Sequence, residues 1–324
     1  MRLLTLLSAI CLSAISLVFA ANYSDPLKPD LGSDPHIVVF DGYYYLTTTT
    51  YSNVQITRAT TLEGLKDGET RTVFTPDDPS RSCELWAPEL HYIHGRWYLY
   101  FSAGFCTTCC DTQRPHVLIG GATPFDTYTY LSTLTSEFGI DGTVLRFPDQ
   151  LYFVWSCITS DLQGLCIAEL LEPGTLGETH ELSLPEADWE TVGFGVNEGP
   201  AAMYHKGKTF LSFSASYCGT SSYQLGVLTY VGGDPLKKAS WTKTGPFLQS
   251  ANGNFGPGHN GFFQSPDGTQ IWNVYHATAN SNGACDRSRY TMAKIVKWDR
   301  NGQPIFGSPE PLGTVMQGPS GEPT

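Results

Sequence analysis

Polar and apolar positions alternate with a period of two along most of the chain. In "HIVVFDGYYYLTTTT", residues 36–50, two apolar-rich runs flank Asp41-Gly42, the chemistry of a β-hairpin with a tight turn. The phrase recurs: a turn, a glycine, then an aromatic alternating strand that ends in Ser or Thr. It reads "DGYYYLTTTT" from Asp41, "HGRWYLYFSA" from His94, "DQLYFVWSCI" from Asp149, "KGKTFLSFSA" from Lys206 and "DGTQIWNVYHA" from Asp267. The second residues of these copies, Gly42, Gly95, Gln150, Gly207 and Gly268, are 53, 55, 57 and 61 positions apart. No long stretch follows the 3.6-residue period of a helix. Several short strands per copy at such a period are the pattern of a propeller blade. Five copies predict an all-β, five-bladed β-propeller in a single domain.

The residues before each turn form a second pattern. The segments "DPHIVV", "APELHY", "DGTVLR", "EGPAAMY" and "HNGFFQ" begin at Asp34, Ala87, Asp141, Glu198 and His259, eight or nine positions before the second turn residue. The innermost strand of a blade starts at the central channel, so this column is expected to converge on the axis. Three carboxylates gathered there repel one another and raise one another's proton affinity. Proton transfer, which needs one acid protonated and another ionised, explains such a cluster better than solvated turn acids do. Glu89, two places past the column, reads as a hydrogen-bond partner inside its blade. Trp86, Tyr51 and Trp155 are aromatic candidates for stacking on a sugar, with Trp86 the strongest because it precedes the column directly.

Charge and cysteine content narrow the setting. The formal net charge is −12, which repels phosphate backbones and argues against nucleic acid as a partner. Residues 1–20 carry Arg2, an apolar stretch and Val18-Phe19-Ala20, and read as a secretory signal peptide. The expected division is therefore 1–20 signal, 21–316 propeller and 317–324 flexible tail, in a secreted, extracellular protein with no membrane span. Eight cysteines remain: Cys83, Cys106, Cys109, Cys110, Cys157, Cys166, Cys218 and Cys285. In an oxidising compartment they predict disulfides, with Cys157–Cys166 the clearest local pair and the rest open. A zinc reading of "CTTCC" is less favoured, because no His or Cys recurs nearby at finger-like spacing. Asn22 in "NYS" is a glycosylation sequon.

The phrases "SDPHIV", "ELWAPELHYIHGRWYLYFSA", "GIDGTVL", "VNEGPAAMYHKGKTFLSFSA", "GPGHNGFF" and "KWDRNGQPIFGSP" together resemble glycoside hydrolase family 43, whose five-bladed propellers act on arabinose- and xylose-containing polymers. The resemblance implies Asp34 as general base, Glu198 as general acid and Asp141 as the third acid that tunes and orients the acid. It also implies that Arg289 contacts the sugar and the third acid. His259 matches a central histidine beside a bound ion, commonly calcium, which would be structural, so no cofactor is required for the chemistry. The family is inverting, so the two working carboxyls should stand roughly 6.5–9.5 Å apart, with room for a water between. The wording is most like exo-acting α-L-arabinofuranosidases, which makes plant cell-wall arabinan and arabino-oligosaccharides the expected partners of a monomer. Endo-arabinanase and β-xylosidase remain alternatives, as does a sugar-binding propeller without catalysis. Together these readings name Asp34, Glu198 and Asp141 as catalytic and Trp86, Arg289, His259 and Tyr51 as substrate-binding.

Overall fold

The computed structural model describes residues 21–108 and 110–323, so the expected signal peptide and Cys109 lie outside the described residues. Antiparallel sheets succeed one another as five blades. Blade one is built from His36–Phe40, Tyr43–Thr47, Val54–Ala59 and Glu69–Phe74. Blade two comprises Cys83–Ile93, Arg96–Gly104, Arg114–Ile119 and Thr129–Thr133. In blade three, Gly139–Arg146, Leu151–Thr159 and Leu162–Glu172 are followed by the short pieces Thr175–Leu176 and His180–Ser183. Blade four holds Asn197–His205, Lys208–Ala215, Gln224–Tyr230 and Trp241–Phe247. Blade five has three strands, Phe255–Gln264, Ile271–Thr278 and Tyr290–Ile295.

The inner strand of every blade packs on the inner strand of the next, and that of blade five returns to blade one. Each interface between blades has its own apolar core, because alternate residues of each strand face the neighbouring blade. Trp155 belongs to one of these cores. It is buried and stacked on Phe153 between blades two and three, so it is a packing residue and not a sugar platform.

The hairpin turns explain the spacing of the copies. Asp41-Gly42, His94-Gly95 and Lys206-Gly207 are two-residue turns with positive φ at both positions, which suits the right-handed twist of the paired strands. In blades three and five the loops are longer, running from Arg146 to Leu151 and from Gln264 to Ile271.

This difference corrects the column. In blades two to five the inner strand carries a bulge in which two residues oppose one on the second strand, and blade one has the equivalent arrangement at Asp34-Pro35. The first bulge residue is left-handed in every blade: Asp34 (φ 55°), Ala87 (46°), Asp141 (61°), Gly199 (54°) and His259 (42°). Counting back from the turns had placed Glu198 in this set. Its true register is one residue earlier, level with Trp86, Ile140 and Gly258 and nearer the channel mouth.

Ring closure comes from the two ends of the described chain. Leu27 and Lys28 bond to Thr291 of blade five, and Asn22–Ser24 pairs antiparallel with Val315–Gln317. The segment expected to be a flexible tail is packed instead: Gly318 N–H donates to Ala21, and the buried Glu322 carboxylate accepts the Leu62 N–H. Among the described residues three disulfides are formed, Cys83–Cys106, Cys157–Cys166 and Cys218–Cys285, the second being the pair expected from sequence.

Candidate active site

A repeated hydrogen bond sets the backbone at the axis. Toward the end of each blade's second strand, or just past it in blade one, a residue faces the bulge of the next blade: Thr49, Ser102, Ser156, Ser214 and His276. Thr49 Oγ1 accepts the Ala87 N–H (2.8 Å), Ser102 Oγ that of Asp141 (3.1 Å), and Ser214 Oγ that of His259 (2.6 Å). His276 Nδ1 does the same for Asp34 at 3.1 Å and closes the circle. The exception is Ser156. The N–H of Gly199 turns instead to Asp141 Oδ2 (3.1 Å), while Ser156 Oγ donates to the Asn197 carbonyl (2.9 Å). The third acid therefore holds the backbone immediately after Glu198.

One cavity of about 320 Å³ at this end of the channel is lined by Asp34, Asp141, Glu198, His259, Trp86, Tyr51 and Arg289, so every residue singled out as catalytic or substrate-binding meets there. Asp34 is nearly buried. Its Oδ2 accepts from Thr49 Oγ1 (2.5 Å), and its Oδ1 lies 3.2 Å from His259 Nδ1, 3.3 Å from His276 Nδ1 and 3.4 Å from Arg289. Burial alone would raise its proton affinity. The charge of Arg289, with the electrostatic pull of His259, outweighs burial and holds Asp34 well below the usual carboxylate range.

Glu198 is placed differently. Tyr223 Oη donates to its Oε1 (2.8 Å) and Gln163 Nε2 to its Oε2 (3.1 Å). Burial dominates, and with the charge of Asp34 it pushes Glu198 up to about 7 against these hydrogen bonds. Asp141, 3.8 Å from His259 through Oδ2, is likewise raised by burial and by the charges of Glu198 and Asp34, to about 7. One ionised and one protonated carboxyl in a single pocket is the arrangement that acid–base hydrolysis of a glycoside requires.

Several placements differ from expectation. The carboxylate that Arg289 meets is Asp34 rather than Asp141. Tyr51 lines the pocket with its ring under the Arg287 guanidinium (4.7 Å). Trp86 is fixed by a bond from its Nε1 to Glu84 Oε2 (3.0 Å). Thr49, Gln163, Tyr223 and His276 were not singled out from sequence. His276 carried a signal, because it ends its strand phrase where the other copies have Ser or Thr.

Calcium takes six to eight oxygen ligands. Around His259 the chain offers Asp34 Oδ1 and Asp141 Oδ2, both already facing the imidazole. Two carboxylate oxygens fall short of a calcium cage. Farther down the channel, His36, Glu89, Thr143, Ala201 and Gly261 line a cavity of about 630 Å³. There Glu89 Oε2 lies 2.8 Å from His91 Nε2, a bond within its own strand. The trio His36, Glu89 and His91 is compact enough for a metal. Its chemistry opposes one, because His36 Nδ1 accepts the Leu90 N–H (3.3 Å) and its proton is therefore on Nε2.

A five-bladed propeller with paired carboxyls in an axial pocket has the form of a glycoside hydrolase. The sequence profile of glycosyl hydrolases family 43 matches residues 23–304, and the chain belongs to that family. It is 36% identical over 311 residues to an extracellular exo-α-(1→5)-L-arabinofuranosidase of Streptomyces avermitilis, a match covering 90% of this chain and 64% of that protein. A second enzyme so named, from Streptomyces chartreusis, is 33% identical over 79% of this chain and 83% of its own length. The crystal structure of an α-L-arabinofuranosidase from Lactobacillus brevis superposes with a TM-score of 0.83 at 34% identity, covering 90% of this chain and 98% of the other.

Proposed function

We propose that this protein is a secreted, inverting exo-α-1,5-L-arabinofuranosidase that releases arabinose from arabinan and arabino-oligosaccharides. The observation that carries the reading is the opposite displacement of two carboxyls facing one pocket: Asp34 held ionised beside Arg289, Glu198 held protonated by burial. Asp34 takes a proton from a water on one face of the terminal sugar, and that water attacks the anomeric carbon. Glu198 gives its proton to the glycosidic oxygen as the bond breaks. Asp141 positions Glu198 through the Gly199 N–H. Arg289 and His259 orient Asp34, and Trp86 and Tyr51 form the pocket wall against the sugar.

Exo action is supported by the wall itself. Cys83–Cys106 ties the loop after the second strand of blade two to the start of that blade's inner strand, three residues before Trp86. A wall fixed there suits a blind pocket for one terminal residue. The extracellular names of the Streptomyces relatives and the three disulfides support secretion. The decisive experiment follows early products from debranched arabinan by chromatography and proton NMR. Arabinose alone, first seen as the β-anomer, is the expected result. Longer oligosaccharides at first would mean an endo enzyme, the α-anomer would refute inversion, and turnover confined to xylosides would change the substrate class.

A further inference from the structure

We propose that Phe194 and Tyr217 form a platform for the part of the arabinan chain that leaves, beyond the bond that is cut. This rests on the arabinan-cleaving reading above. Glu198 pairs with Ser214, and the neighbouring pair is Asn197 with Ala215. Phe194 comes just before this pair of strands and Tyr217 just after it, so both stand past the same end of the hairpin that carries the acid. Phe194 is four positions before Glu198, which limits its backbone to about 13 Å away even if fully extended. In an inverting mechanism the acid donates to the leaving oxygen. The outgoing chain therefore passes on the Glu198 side, over blade four.

The surface there is apolar and fixed. Phe194 is 64% exposed and Tyr217 39%, and their rings meet edge to face at 5.1 Å. Val192, 41% exposed, accepts the Tyr217 N–H through its carbonyl. Gly193 and Gly219 lie against the Tyr217 side chain, where a Cβ would come to 3.0 and 2.5 Å of it. Cys218, the next residue, lines the catalytic pocket and is bonded to Cys285, so the platform is continuous with the pocket wall. Large apolar rings left in water beside a sugar site, with their backbone tied down, offer a flat face to the C–H side of a pentose at little entropic cost.

The test compares methyl α-L-arabinofuranoside, which has almost no leaving group, with arabinotriose. Phe194→Ala and Tyr217→Ala are expected to raise KM for arabinotriose about 3- to 10-fold, and more together, with kcat/KM for the methyl glycoside unchanged. Phe194→Trp should restore the trisaccharide KM. Melting temperatures within a degree or two of wild type would show that folding is intact. Equal effects on both substrates, or none on either, overturn the platform while leaving the activity in place. If the wild-type protein cleaves neither substrate, the activity reading falls and the platform with it.

Discussion

Asp34 and Glu198 are both carboxyls in one cavity, and what separates them is their neighbours. Replacing Asp34 by Asn keeps the left-handed backbone, which Asn tolerates, but removes the base. A fall in kcat of about 10²–10⁴ is expected, with a lower melting temperature because buried Arg289 loses its counter-charge. Tyr223 acts through Glu198. Its hydroxyl bond favours the ionised acid, so Tyr223→Phe raises the acid's proton affinity. The alkaline fall of kcat/KM should move to higher pH, with about a tenfold loss at the optimum. Asp141→Asn works in the opposite direction: as pH rises through 7 the wild-type Asp141 gains a charge that opposes ionisation of Glu198, and without it the alkaline fall comes at lower pH. It also has a signature in stability. In the fold Asp141 holds its proton up to about 7, above its ordinary range near 4, so its contribution to stability is full in acid and lost as pH rises through 7. Thermal unfolding should find Asp141→Asn more stable than wild type at pH 8 and equal to it at pH 4.

At the level of the strand, the bulge decides which residues reach the axis. Asp34, Asp141 and His259 were legible as a column because each lies at a nearly constant distance before its turn. Glu198 was found by the same count but assigned one place wrong, since blade four has the short turn of blades one and two while blades three and five have longer loops. The Ser or Thr near the end of the second strand in blades one to four was visible as a repeated ending. Its role was not, because it depends on a bond to the next blade about 40 residues away. Gly199 shows what the bulge demands in blade four. Its φ is +54°, and a Cβ there would approach the His259 ring at 3.0–3.2 Å. Gly199→Ala is expected to cost about 1–2 kcal/mol of stability and to displace His259 from Asp34. Activity should drop at least tenfold while circular dichroism keeps the β spectrum. An unchanged rate would show that the ring at the axis has slack.

For the whole molecule, sequence gave the number of blades and their order, since one interface core repeats around the ring. The closure was missed. "QGPSGEPT" has the composition of a tail, and only its neighbours reveal Glu322 buried against Leu62 and Gln317 paired with Asn22. Removing the residues after Thr314 is expected to lower the melting temperature by several degrees and to make unfolding less cooperative, with the pocket residues themselves untouched. A truncated chain that melts like the full one would show that the Leu27–Thr291 contacts close the ring alone. The same closure imposes an order in time. Asn22 leaves the ribosome long before Gln317 exists, so blades one to four can form while the chain is still being made, but the ring cannot. Until Tyr290–Ile295 is made, Leu27 and Lys28 lack their partner Thr291, and until Ile271–Thr278 is made Asp34 lacks the His276 that holds its N–H. The first bulge at the axis is therefore fixed only when the fifth blade arrives, and with it the carboxyl proposed as the base.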